Sequence, residues 1–70
     1  MNEYLVIYER AEDGGWGAHS PDLDGVFALA PTREEVEARM AEAIRAHLQV
    51  LDDLGHVVPK RHTEAGYVSA

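Results

Sequence analysis

The stretch from residue 12 to residue 25 constrains the fold most, because it holds two turn signals on either side of one short segment. Glu12-Asp13-Gly14-Gly15 predicts a hairpin turn, since Asp-Gly readily adopts the positive φ that tight hairpins need. Pro21-Asp22 and Asp24-Gly25 interrupt the chain again. The segment between them, residues 16–20, is therefore predicted to be the middle strand of an antiparallel meander.

The flanking segments predict the other two strands of the meander. Residues 3–10 contain a run rich in aromatic and branched side chains, and residues 26–30 form a short apolar run ended by Pro31. Both alternating faces of the first strand are apolar, which is typical of a strand covered on both sides. A single helix covers only one face of so small a sheet, so we expect the other face to meet a second subunit. The predicted self-association residues are Tyr4, Val6 and Tyr8.

A long helix follows the third strand. Thr32-x-x-Glu35 is a capping box, and Gly55 is a stop signal, so the helix is predicted over residues 33–54. At 1.5 Å per residue its length is about 33 Å, which exceeds every strand and makes it lie across the sheet. Its apolar stripe, at steps of three and four, consists of Val36, Met40, Ile44, Leu48 and Leu51.

These elements predict a single α+β domain over residues 1–70 with the order β-β-β-α-β. Residues 67–68 form the expected last strand. A right-handed crossover through the helix places that strand beside the first one, so the predicted sheet order is 3-2-1-4.

Size and composition favour self-association inside the cell. A chain of 70 residues buries only about 60% of its unfolded surface, so its stability is marginal without help. With no cysteine there is no disulfide framework, which fits a reducing cytoplasm. Residues 1–10 lack the pattern of an export signal, and no apolar run reaches the roughly 18 residues that span a bilayer. We expect a cytoplasmic protein without membrane contact.

Charge is uneven along the chain. The formal net charge is −7, with −5 in residues 1–30 and +1 in residues 56–70. Such an acidic sheet half is a poor match for nucleic-acid phosphates, so no direct nucleic-acid binding is expected. It suits a basic protein partner, with solubility alone as the other explanation.

The sequence predicts neither a metal site nor a cofactor. Asp22-x-Asp24-Gly25 is similar to a fragment of a calcium loop, but an EF-hand loop needs Gly at its sixth position and Glu at its twelfth. Here those positions hold Phe27 and Arg33. The four histidines lack the spacing of a zinc site.

Catalysis and base stacking are also not favoured. His19 is the best placed histidine for general-base work, yet it has no nucleophile or acid beside it in the sequence. Trp16 and the tyrosines could stack on nucleic-acid bases, but the acidic charge removes the attraction that such binding needs. The chain is predicted not to be an enzyme.

Three motifs together resemble a known family. Asp13-Gly14-Gly15-Trp16, then Ser20-Pro21-Asp22-Leu23-Asp24-Gly25, then Thr32-x-x-Glu35-Val36 resemble the D-G-G-aromatic, P-D-L-P-G and S/T-x-E-E-A motifs of HicB-like antitoxins. The resemblance covers residues 3–68. It departs at Asp24, where Pro is usual, at Val26, where Cys is frequent, and at residues 30–32, where G-D-S/T is usual.

The resemblance implies a partial ribonuclease-H-like fold without that fold's catalytic centre. It further implies a non-catalytic antitoxin of a type II toxin-antitoxin pair, which masks a small basic mRNA-cleaving toxin of HicA type and forms homodimers or homotetramers. Many members continue into a DNA-binding domain. Because this sequence stops at Ala70, we do not expect it to bind an operator by itself.

Charge and exposure then suggest the contact residues. The predicted toxin-binding residues are Glu12, Asp13, Trp16, Asp22 and Asp24. An alternative is an orphan regulatory or scaffolding domain of the same fold without a toxin partner. A third reading is a vestigial metal-dependent nuclease.

Overall fold

Three short strands and one long helix make up the computed structural model, which describes residues 3–70. The strands are β1 (Ile7–Arg10), β2 (Trp16–His19) and β3 (Phe27–Ala30), and the helix is α1 (Arg33–Asp53). The predicted α+β class is confirmed. The first strand begins four residues later than predicted, at Ile7 instead of residue 3.

The strands form an antiparallel meander in the order β1-β2-β3. Tyr8 pairs with Ala18, which pairs with Ala28, and this row faces the helix, as the burial of Ala18 shows. The neighbouring row, Ile7, His19 and Phe27, lies on the opposite face because side chains alternate along a strand. The sheet therefore has one face covered by α1 and one open face.

Local signals set both ends of α1. The Thr32 hydroxyl accepts a hydrogen bond from the Glu35 backbone N–H at 3.2 Å, as an N-cap should. At the other end, Gly55 has a φ of +72° and donates its N–H to Asp52, while the next N–H reaches back to Leu51. This pair of bonds is a Schellman motif, so the predicted start and stop of the helix are confirmed.

The core lies between the helix and the covered face of the sheet. Its largest fully buried side chains are Val36 and Met40 of α1 and Leu23 of the β2–β3 turn. The remaining buried apolar residues are Ala18, Val26 and Ala30. Small alanines on the sheet let the helix approach closely, and Leu23 fills the end of the layer from a turn.

The predicted fourth strand is not formed. Residues 56–70 contain no strand, and Tyr67 and Val68 are fully exposed. The order 3-2-1 is found, but β1 lies at the edge of the sheet rather than in its interior. After α1 the chain is held at His62 and Thr63 by hydrogen bonds to Asp22, and beyond these residues Tyr67 and Val68 have no packing that would support a strand. A ribonuclease-H-like fold is not demonstrated by three strands and a helix and stays a prediction.

Candidate protein-interaction surfaces

The open face of the sheet carries the most prominent apolar patch on a regular element. Phe27 and Leu29 of β3 are 67% and 66% exposed, and Ile7 of β1 lies on the same face. Gly17 sits between them on β2, where an added Cβ would lie 3.3 Å from Leu29 Cδ2. The absence of a side chain at Gly17 gives the Leu29 side chain room to pack over β2. We call Ile7, Phe27 and Leu29 the apolar patch.

The residues predicted for self-association lie on the other side of the sheet. Tyr4, Val6 and Tyr8 are partly buried and pack against the core beneath α1. The Tyr4 hydroxyl donates to the Pro59 carbonyl, and the Arg33 guanidinium lies 4.0 Å from the centre of the Tyr8 ring. Contact of these three with a second subunit remains untested, but their packing leaves them little free surface.

Sequence reasoning missed the apolar patch, although a signal for it was present. In Val26 to Ala30, large residues alternate with small ones: Phe27 and Leu29 alternate with Ala28 and Ala30. Small residues permit a helix to approach closely, so this alternation was compatible with large side chains that point away from the helix.

The β1–β2 turn presents two acidic side chains to solvent. Glu12 and Asp13 are exposed, and Asp13 Oδ1 accepts a hydrogen bond from the Gly15 N–H at 2.9 Å. Gly14 has a φ of +89°, as the predicted Asp-Gly turn requires. Trp16 follows at the start of β2, half-buried, with the Arg33 guanidinium 5.5 Å from its ring centre. The turn is therefore a hydrogen-bonded, negatively charged end of the sheet.

Asp22 in the β2–β3 turn, one of the predicted toxin-binding residues, is hydrogen-bonded within the chain. Its side chain is buried, and its carboxylate accepts hydrogen bonds from the backbone N–H groups of His62 and Thr63 at 3.1 and 3.2 Å. The Thr63 hydroxyl donates a third bond at 2.6 Å, and His62 Nε2 lies 3.0 Å away. We call this group the Asp22 anchor, because it attaches the segment after α1 to the sheet.

The hydrogen bonds of the Asp22 anchor also change its acidity. The Thr63 hydroxyl, aided by the two backbone N–H groups, holds the pKa of the Asp22 carboxyl below its ordinary value, although burial acts in the opposite direction. A buried carboxylate with its acceptors already occupied is poorly placed to contact a toxin. Of the acids predicted at this turn, Asp24 is the exposed one.

The predicted acidic residues do not form one cluster. Glu12 and Asp13 precede β2, whereas Asp24 follows it. Four strand residues at about 3.4 Å each separate the two turns by about 14 Å. The exposed acids therefore lie at the two ends of the sheet, with the open face between them.

No metal-binding cluster is found in residues 3–70, where no three His, Asp or Glu side chains converge. His19 Nδ1 and Glu9 Oε1 are 4.0 Å apart on the open face, without a third partner of this kind. Among the described residues there is also no helix with the length and hydropathy that crossing a membrane requires.

Sequence comparison relates the chain to known proteins. A family model described as the HicB-like antitoxin of bacterial toxin-antitoxin systems matches residues 4–69. The chain belongs to this family. This HicB-like chain is also 32% identical over 62 residues to the UPF0150 protein Ta0767 of Thermoplasma acidophilum, covering 89% of the chain and 90% of that protein. No solved structure matches it.

The motifs that carried the resemblance to HicB-like antitoxins have structural roles in this chain. The Asp13-Gly14-Gly15-Trp16 motif forms the β1–β2 turn, and residues 20–25 form the β2–β3 turn. Within the second motif, Leu23 enters the core and Ser20 Oγ donates to the Leu5 carbonyl at 2.9 Å. The motifs therefore identify the fold and the family, while the apolar patch lies outside them.

Proposed function

We propose that this HicB-like chain is a non-catalytic, cytoplasmic antitoxin that binds a small basic ribonuclease toxin of HicA type and masks its active surface. The observation that carries this proposal is the open sheet face, whose apolar patch is flanked at both ends by exposed carboxylates. Membership of the HicB-like antitoxin family supplies the class of partner.

The apolar patch supplies the centre of the proposed interface. Protein interfaces usually have an apolar core surrounded by a polar rim, and a few central side chains carry most of the binding free energy. Phe27 and Leu29 project from the same strand on the open face and are about two-thirds exposed. We assign them as the main anchors for the toxin.

The acidic turns supply the rim. Glu12 and Asp13 at one end and Asp24 at the other lie in a sheet half of net charge −5. Attraction between these acids and a basic toxin would speed the association of the two proteins and orient the toxin on the open face. Trp16, half-buried beside the first turn, shares the covered face with Ala18 and packs against the core, so it is not assigned to this contact set. Asp22 is excluded from this contact set because the Asp22 anchor uses its oxygens.

The first test targets the apolar patch. The candidate toxin is the small basic protein encoded beside this chain's gene, if one is present, and its RNA cleavage is measured with increasing antitoxin. Leu29→Ser should raise Kd at least about tenfold, since loss of a central interface side chain costs more than about 1.4 kcal/mol. Leu54→Ser is the matched control, because Leu54 is 64% exposed against 66% for Leu29.

Both leucine variants should fold, since substitutions at exposed positions usually change stability by about 0.5 kcal/mol or less. Equal inhibition by Leu29→Ser and Leu54→Ser would contradict the assignment of the open face. Absence of binding to any neighbouring or co-purified basic protein would instead favour the regulatory or scaffolding alternative.

The second test targets the acidic rim. The triple variant Glu12→Gln, Asp13→Asn, Asp24→Asn removes three negative charges and keeps an oxygen at Asp13 for the Gly15 N–H. Its control removes three exposed acids elsewhere, by Glu42→Gln, Asp52→Asn and Glu64→Gln. The rim variant should associate with the toxin more slowly and lose much of the salt dependence of association. If both triple variants slow association equally, net charge alone is responsible and the rim is not the contact.

A further inference from the structure

One acidic side chain lies within the open face of the sheet rather than at its ends. Glu9 of β1 shares this face with Ile7, and its side chain is 72% exposed. We propose that Glu9 binds an arginine side chain of the toxin, with the His19 ring beside the guanidinium group. This inference rests on the proposed function, and it adds the chemistry of one toxin residue and the place where that residue binds.

The side-chain positions of the open face form a small rectangle. The strand register gives two rows across the three strands, Ile7, His19 and Phe27 in one and Glu9, Gly17 and Leu29 in the other. The apolar patch therefore occupies three corners of the rectangle, and Glu9 occupies the fourth. The rows are about 6.8 Å apart, and the two outer strands are about 9.6 Å apart. A toxin that covers the three apolar corners therefore also covers Glu9.

Covering Glu9 removes water from its carboxylate. Such a loss weakens a complex unless the partner supplies hydrogen bonds and an opposite charge. His19 does not supply the hydrogen bond, because its Nδ1 lies 4.0 Å from Glu9 Oε1, which is beyond hydrogen-bond distance. Arg10, the next residue of β1, pairs with Trp16 and alternates to the covered face. The toxin must therefore bring a cation to Glu9.

The surroundings of Glu9 favour arginine over lysine as this cation. A guanidinium group forms two parallel hydrogen bonds with a carboxylate, is weakly hydrated and stacks on planar rings. The His19 side chain, 48% exposed on the neighbouring strand, offers such a ring. In the row of Glu9, Leu29 packs over Gly17, since an added Gly17 Cβ would lie 3.3 Å from Leu29 Cδ2. An arginine can therefore pair with Glu9 while its apolar stem contacts Leu29.

Charge is also asymmetric across the open face. Glu9 lies on the β1 side, whereas Arg39 of α1 reaches the β3 edge and donates a hydrogen bond to the Leu29 carbonyl. Arg39 Nη2 is 4.0 Å from Glu35 Oε2, and an exposed pair at this distance balances the guanidinium charge only in part. A toxin arginine is therefore attracted to the β1 side and repelled from the β3 side. This asymmetry selects one orientation of the toxin on the face.

The first experiment measures the association and dissociation rates of the full chain and the small basic protein encoded beside its gene. Glu9→Gln should raise the dissociation rate at least about thirtyfold, because loss of one partner of a desolvated charge pair acts mainly on dissociation. Glu42→Gln is the matched control, since Glu42 is an exposed acid of α1 and its loss should change this rate less than about threefold. The triple variant of the acidic rim should instead slow association.

The second experiment identifies the toxin residue that binds Glu9. Glu9→Arg brings two like charges together and should raise Kd at least about a hundredfold. Each arginine and each lysine of the toxin is then changed to glutamate, one at a time, and tested against this variant. One arginine reversal should restore binding to Glu9→Arg at least about tenfold and weaken binding to the unmodified chain. The same reversal should not improve binding to the control variant Glu42→Arg.

Any of three results would overturn the assignment of Glu9. These are equal dissociation rates for Glu9→Gln and Glu42→Gln, absence of any reversal that rescues Glu9→Arg, and rescue by a lysine reversal instead of an arginine reversal. Both Glu9 variants should fold, as circular dichroism can check, because Glu9 is exposed. With each of these results Leu29→Ser should still weaken toxin binding, whereas equal inhibition by Leu29→Ser and Leu54→Ser would contradict the proposed function itself.

Discussion

The contact between α1 and the sheet can be tested with one substitution made at two places on the same helix. Val36 is fully buried in α1, and Val50 of the same helix is 53% exposed. Val36→Ala and Val50→Ala remove the same two carbon atoms and gain the same helix propensity. The difference between them therefore isolates burial against the sheet.

The expected magnitude follows from the two positions. Loss of two buried carbons costs about 1.6 kcal/mol at about 0.8 kcal/mol each, and a residual cavity adds to this. Because alanine has a higher helix propensity than valine, the substitution also stabilises the helix by about 0.5 kcal/mol at either site. Val36→Ala should therefore lower the free energy of unfolding by about 1.5–2.5 kcal/mol, while Val50→Ala should leave it unchanged or raise it by up to about 0.5 kcal/mol.

The measurement is urea denaturation followed by circular dichroism, with all variants at one protein concentration because association changes apparent stability. A domain of this size has a total stability of about 4–10 kcal/mol, so a difference of about 2 kcal/mol is a large fraction of it. It corresponds to a shift in Tm of about 8–16 °C. Val36→Ala within about 0.5 kcal/mol of Val50→Ala would refute the described packing of α1.

Two further predictions concern the Asp22 anchor and the end of α1. Because the folded-state pKa of Asp22 is lowered, its contribution to stability is present above the ordinary Asp pKa of about 3.9 and is lost as pH falls through the folded value. Thr63→Val should therefore lower the free energy of unfolding at neutral pH. In denaturation curves measured over a range of pH, the difference in this free energy between the variant and the unmodified chain should shrink below about pH 3.9. A difference that does not change with pH would contradict the role of the Thr63 hydroxyl. Gly55→Ala should lower the free energy of unfolding by about 1–2 kcal/mol, because Gly55 has a φ of +72°. Gly66→Ala is the control and should leave this free energy unchanged in the same assay, because Gly66 has no positive φ and an added Cβ would meet no atom within 4 Å beyond its chain neighbours.

Features that depend on near neighbours could be read from the sequence. Thr32 and Gly55 mark the ends of α1 because the N-cap hydroxyl and the left-handed glycine act on the backbone within four residues of themselves. Gly14 marks the first turn for the same reason. The class, the order of the first three strands and the family all follow from such local signals in their correct sequence.

Features that depend on which surfaces meet could not be read in this way. Both faces of the first strand are apolar, so composition could not show that Tyr8 points to the helix and Ile7 away from it. Asp22 looked like an exposed turn acid, and only the arrival of Thr63 from 41 residues away showed it to be a buried anchor. Likewise, the order of the first three strands did not exclude a fourth strand, and only the structure showed that residues 56–70 form none.

The sequence by itself therefore determined where the chain turns, where the helix begins and ends, and which family it belongs to, since these depend on backbone preferences a few residues apart. The tertiary structure decided which side of the sheet is open and that Phe27 and Leu29 occupy it. It also decided that the acidic turns lie at opposite ends of β2 and that β1 is an edge. Those features arise when α1 covers one face of an alternating strand, and alternation alone does not say which face that will be.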